Sequence, residues 1–163
     1  MAAWFGATEK APVWQAAADE VRAAILDRGW NDTLGSFTQS FDDDQLDASV
    51  LALAISGLVP YDDPRMVSTI ERIAVDLAAP CGLLYRYLND DGIETDGGEG
   101  AFLLCSFWLV ECLAALGETE RAHSLFNRAA SCANDLGLLS EEAESETGEL
   151  IGNFPQASAM WAW

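Results

Sequence analysis

The sequence predicts an all-α fold, and three observations carry that prediction. Apolar residues recur at helical spacing in five separate stretches, with a sixth starting near the end of the chain. Each stretch is bracketed by helix punctuation, Pro or Asp at its start and Gly or Pro at its end. No run alternates polar and apolar residues for long enough to form more than a short extended piece within a loop. With short connections between them, about six helices pack as antiparallel hairpins.

The first helix follows Pro12, a residue suited to a first turn, with Trp14, Ala17, Ala18, Val21, Ala24 and Ile25 on one face and its end near Gly29. After Trp30 and Asn31, GSFTQSF alternates as a short extended segment. Asp42, Asp43 and Asp44 then offer cap groups for a second helix running to Gly57. Asp62, Asp63 and Pro64 open a third, with Met66, Ile70, Ile73, Ala74 and Leu77 on one face, and Pro80 to Gly82 ends it. GLLYRY (Gly82 to Tyr87) reads as an extended run into the turn residues Asn89 to Gly92. The fourth helix, from about Glu99 to Leu116, is apolar almost all round, as a helix packed on every side must be. The fifth, Thr119 to Leu136, keeps a polar face, and Gly117 and Gly137 stand where C-terminal caps belong. A last helix begins around Phe154.

Composition bounds the function. Half of the 163 residues are hydrophobic, which argues for a packed core and for one domain over residues 1–163. The 27 acidic against 8 basic residues give a net charge of −19, which repels nucleic acid and anionic membranes. Two readings fit the acidity: a host with a salt-rich interior, where screening relieves self-repulsion, or an ordinary acidic enzyme. The N-terminus lacks a basic stretch followed by an apolar run, and Ala101 to Val110 is too short to span a bilayer, so a cytoplasmic location is expected. Cys81, Cys105, Cys112 and Cys132 show no CxxC spacing and suit small buried residues better than a metal site or disulfide framework. His123, the one histidine, sits beside Arg121 and Ser124 on an outer helix and reads as a surface residue. No metal or cofactor is expected.

Five motifs occur in a fixed order: LDASVLALAISGLVPYDDPR from Leu46, GLLYRY from Gly82, GGEGAFLLCSFW from Gly97, LLSEE from Leu138 and GNFPQA from Gly152. Together they resemble the C-terminal half of the catalytic domain of glycoside hydrolase family 15, the glucoamylase, glucodextranase and trehalase group. The resemblance runs from about Glu20 to Ala157. It implies roughly half of an (α/α) barrel, or toroid, of six helical hairpins, and an inverting hydrolase acting on an α-glucoside. The forms of GGEGAFLLCSFW and GNFPQA are similar to those of the prokaryotic branch that includes trehalases, so trehalose stands beside starch-like and dextran-like glucans as the expected substrate.

Inversion requires two carboxyl groups roughly 6.5–9.5 Å apart, one acid and one base, with a water between them. By the resemblance the general base is Glu141 in LLSEE. Glu142 points the other way if the segment is extended. On composition alone Glu141 is one more surface acid in a cluster with Glu142, Glu144, Glu146 and Glu149; the flanking Leu-Leu and GNFPQA turn the reading. The resemblance assigns Arg86 to hydroxyls of the bound glucosyl unit, a task for the guanidinium fork, against pairing with a local acid. Glu99 stands at the mouth of the fourth helix, either lining the substrate pocket or serving as a helix-dipole partner. Phe107 and Trp108 read as core residues before sugar-stacking ones, Trp30, which precedes a loop, is the better stacking candidate, and Asp47 is a candidate support for the pocket.

The resemblance also leaves gaps. No Trp-Glu acid motif occurs in the first 30 residues, and the chain departs from the family pattern after FPQA, reading Ser158, Ala159 and Met160. The expectation is a fragment carrying the general-base half of the active site. The competing reading is a non-catalytic helical module, or one subunit of a split enzyme whose N-terminal half is supplied by a partner.

Overall fold

The computed structural model describes residues 6, 8–88 and 100–160, and helices dominate them. After a 3-10 turn over Thr8–Lys10, α1 spans Ala11–Arg28 with Pro12 in its first turn. None of its residues is fully buried; Ala24, Ile25 and Leu26, in its last turns, are half-buried, and Ile25 and Leu26 pack against the core. The stripe expected to face inward is out in solvent, with Trp14 49% and Val21 54% exposed. Helical period predicted the stripe, and the core meets only its last turns, at Ile25.

β1 (Trp30–Asn31) and β2 (Ser36–Phe37) form a small antiparallel hairpin pairing Trp30 with Phe37. Asn31 Oδ1 accepts the amides of Thr33 and Leu34, and Gly35 takes φ +67°, so the turn is closed by a side chain and a left-handed glycine. The second helix does not begin at Asp42–Asp44. Asp42 pairs with Arg28 at 2.6 Å, and the Asp43 carboxylate is taken up by Ser40 and by the amides of Asp44 and Gln45. These local bonds compete with helix formation. The cap is Asp47, whose Oδ1 accepts the Ser49 amide at 2.7 Å and starts a 3-10 turn (Ala48–Leu51) leading into α2 (Ala52–Ile55).

α3 (Pro64–Asp76) follows the sequence reading, with Asp63 capping the Arg65 amide and Met66, Thr69, Ile70 and Ile73 buried. The Arg65 amide is the main reason that the Asp63 carboxyl is held below its usual range. α4 (Leu103–Ala115) starts later than expected because Ala101–Phe102 forms β3, the outer strand of a three-stranded antiparallel sheet with β4 (Glu142–Ala143) and β5 (Leu150–Ile151). α5 (Thr119–Ser131) ends before Leu136, since Asn134 Oδ1 takes the amides of Leu136 and Leu138 and Gly137 adopts φ +75°. α6 covers Ala157–Met160.

α4 lies between two buried clusters. Cys105, Leu109, Cys112 and Leu113 pack with Phe37, Leu51, Met66, Ile70 and Ile73; Leu103 and Phe107 pack with Leu83, Ala129, Leu139 and Ala159. Its nearly continuous hydrophobicity is explained by that position.

Candidate active site

A chain of main-chain hydrogen bonds draws four connecting segments to the start of α4. The Ala48 amide donates to the Arg86 carbonyl (2.7 Å), the Phe102 amide to Leu84 (2.6 Å), the Leu103 amide to Glu141 (3.1 Å), and the Glu141 amide to Asn153 (2.9 Å). Buried Ser106, one turn into α4, reinforces the belt: its Oγ accepts the Leu84 amide and donates to the Phe102 carbonyl. Motifs far apart in sequence thus converge on one end of the buried helix.

On one flank sits Arg86. Its Nε lies 3.4 Å from Oδ2 of Asp47, whose side chain is 3% exposed whereas that of Arg86 is 45% exposed. Asp47 therefore does two jobs, one oxygen capping Ser49 and the other holding the guanidinium. That contact uses one of five donors of the fork. The ring of Tyr87 lies 5.5 Å from the guanidinium carbon. Behind the pair, burial pushes the Cys105 thiol up to about 12, the Asp47 charge adds to the effect, and Arg86 opposes it. The acid partner weighed for Arg86 exists, and it anchors the side chain while leaving it open to solvent.

On the other flank the two glutamates part company. The Glu141 carboxylate accepts Asn153 Nδ2 on Oε2 at 2.7 Å, and Gln156 Nε2 lies 3.5 Å from Oε1. Gly152, at φ +73°, turns the chain so that Asn153 also accepts the Glu141 amide. Glu142 belongs to β4, and its Oε2 accepts the Gly100 amide at 3.0 Å. A methyl group at Gly100 would stand 2.8 Å from the Ala143 carbonyl oxygen and 2.9 Å from Oε2 of Glu142. Glycine is needed there for close approach. Sequence reading missed the roles of Asn153 and Gln156; the signal was their place in GNFPQA, a motif noted as a match and assigned no contacts.

Glu99 lies outside the described residues. Phe107 is buried and Trp108 half-buried against the first cluster, both in core positions. Trp30 is half-buried, edge-on to Phe37 at 5.4 Å, with its indole N–H on Asp32. His123 is exposed on α5. Among the described residues no group of three His, Cys, Asp or Glu side chains is placed to hold a metal ion, and no helix is long and apolar enough to cross a membrane.

Comparison with known families decides the ancestry, because the model of glycosyl hydrolases family 15 matches residues 1–161. The chain belongs to glycosyl hydrolase family 15. It is 44% identical over 155 residues to a trehalase of Mycobacterium tuberculosis, covering 93% of this chain and 22% of that enzyme. It is 36% identical to a trehalase of Thermoplasma acidophilum, covering 96% of this chain and 27% of the relative. The family 15 chain thus spans about a quarter of the length of the curated relatives it matches. A solved structure called a wild-type glycosidase superposes with a TM-score of 0.77 at 22% identity, over 96% of this chain and 44% of its own, which is a likeness of fold. A glycosidase variant in complex with glucose superposes at 0.70 with 26% identity, over 97% and 41% of the two chains.

Proposed function

We propose that this family 15 chain supplies the general-base side of an inverting α-glucoside hydrolase, with trehalose as the substrate. One observation carries the reading: the Glu141 carboxylate is held from two sides by Asn153 and Gln156, on a loop whose main chain is bonded to the start of α4. A base must present a lone pair in a set direction to the attacking water, and amide donors on both oxygens hold that direction. Arg86, anchored by Asp47, offers its remaining donors to the glucosyl hydroxyls on the opposite flank of the α4 start.

In the reaction Glu141 takes a proton from water as that water attacks the anomeric carbon, while a carboxylic acid on the other face of the sugar protonates the departing oxygen. In this reading the acid comes from outside these residues, from the rest of a longer chain or from a partner carrying the N-terminal half of the barrel, and the site of action is cytoplasmic. Trehalose is favoured over other α-glucosides because the relatives of highest identity above are trehalases.

The test has two arms. The purified chain alone should release no glucose from trehalose or maltose over hours. A chimera in which residues 20–157 replace the matching stretch of the mycobacterial trehalase should hydrolyse trehalose. In that chimera Glu141→Gln should lower turnover by about 10²- to 10⁴-fold with little change in sugar binding, while Glu142→Gln should not. Loss of turnover in the Glu142 variant with an active Glu141 variant would overturn the assignment.

A further inference from the structure

Two of the four cysteines have surroundings that the proposed hydrolysis does not use. Cys105 and Cys112 are buried, whereas Cys81 and Cys132 are both half-buried. These two line one small cavity of about 120 Å³, together with Leu83, Arg128, Ser131, Thr147 and Gly148. At roughly 30 Å³ per water, that is room for about four waters, so the two cysteines border one small space.

The walls of this space are fixed. Arg128 Nη1 donates to the Cys81 carbonyl at 2.8 Å, and the Cys81 amide donates to the Ser145 carbonyl at 2.7 Å. Cys132 follows Arg128 by one helical turn, and its Sγ donates to the Arg128 carbonyl at 3.5 Å. Arg128 thus touches Cys81 through its guanidinium and Cys132 through its main-chain carbonyl. Cys132 feels its surroundings: burial raises its thiol most, nearby Cys81 raises it further, and Arg128 works in the opposite direction.

From this shared cavity and the contacts of both cysteines with Arg128, we infer that Cys81 and Cys132 are an oxidisable pair whose disulfide clamps the segment leading to Arg86 onto the segment leading to Glu141. Cys81 stands five residues before Arg86, and Cys132 nine before Glu141. The bond thus joins the two connections that carry the flanks of the candidate site. In the reaction one thiolate attacks the activated sulfur of its oxidised partner. With hydrogen peroxide as oxidant, the two thiols lose two electrons and two protons, one S–S bond forms, the O–O bond breaks, and both oxygens leave as water. With a small disulfide as oxidant, two small thiols leave instead.

The clamp does not depend on the identity of the sugar, and the experiment reads it on the chain itself. The reduced protein is treated with hydrogen peroxide or oxidised glutathione under native conditions, then alkylated, digested and mapped by mass spectrometry. The expected result is a monomer lighter by two hydrogens, a cross-linked peptide pair containing Cys81 and Cys132, and alkylated Cys105 and Cys112. Oxidation should raise the thermal midpoint, and reductant should reverse the rise. Cys81→Ser and Cys132→Ser should each abolish the cross-link, and Cys105→Ala should keep it. Circular dichroism confirms that each variant is folded, and Cys81→Ala replaces Cys81→Ser if the latter is not. Folded protein that stays fully reduced, forms only intermolecular dimers, or links Cys105 or Cys112 overturns the inference. A mapped clamp in a chain whose chimera fails to hydrolyse trehalose leaves the clamp standing and removes the hydrolase reading.

Discussion

Asp47 carries two loads that can be separated by substitution. Its Oδ1 caps the Ser49 amide and its Oδ2 holds Arg86, with the side chain almost fully enclosed. Asp47→Ala removes both contacts. Loss of the cap costs about 1 kcal/mol. The ion pair, with the Arg86 end nearly half exposed, is worth about 0.5 kcal/mol after screening by solvent. For a domain of this size each kcal/mol moves the thermal midpoint by about 2–4 °C, so a drop of about 3–6 °C is expected. Asp47→Asn keeps an amide oxygen for the cap and loses the charge, so it should cost only about 1–2 °C. Placed in an Arg86→Gln background, Asp47→Asn should cost nothing further, because the partner charge is gone. Thermal unfolding followed by circular dichroism at constant salt reads the parent and the four variants. Equal damage from Asn and Ala at position 47, or an Asp47→Ala midpoint within 1 °C of the parent by the same scale, would refute the division of labour.

Three further outcomes follow from the geometry. In the active chimera, Asn153→Ala should reduce kcat by roughly tenfold or more while KM stays near its parent value, since it frees the Glu141 carboxylate without touching the sugar; a change confined to KM would place Asn153 in binding instead. Cys105 and Cys112 are each pushed up to about 12 from 9.0, chiefly by burial. Because the folded values lie above the unfolded one, their contribution is fully present below pH 9 and is lost as pH rises towards 12, by up to about 1.4 kcal/mol per pH unit for each thiol. Urea unfolding at a series of alkaline pH values should show that decline, and Cys112→Ala should make it shallower; an unchanged slope would show that the thiol is not the group responsible. Finally, the exposed Val13, Trp14 and Val21 on α1 should drive self-association of the purified chain once salt screens its charge of −19 over about 10 Å at 0.1 M. Light scattering over a salt series, repeated with Trp14→Ser, tests this, and a monomer at every salt concentration refutes it.

Much of the fold was legible along the chain because its signals are local. Pro64 after Asp63 starts α3, Gly117 ends the α4 turn, and the apolar circumference of Leu103–Ala115 marks a helix enclosed on all sides; each depends on residues within a few positions of one another. The family motifs were legible for the same reason, and they singled out Glu141 and Arg86 before any contact was known. Other features depended on competition between distant segments. Asp42 could cap a helix or pair with Arg28, and the Arg28 pairing wins because the β1–β2 hairpin returns the chain to the end of α1. The periodic face of α1 predicted burial, yet burial depends on whether another element arrives to cover it. Likewise Glu141 and Glu142 are adjacent acids in sequence. Only the tertiary structure separates them: Glu142, in β4, meets the Gly100 amide just ahead of β3, whereas Glu141, in the bend before β4, meets Asn153 and Gln156 where the chain returns after β5.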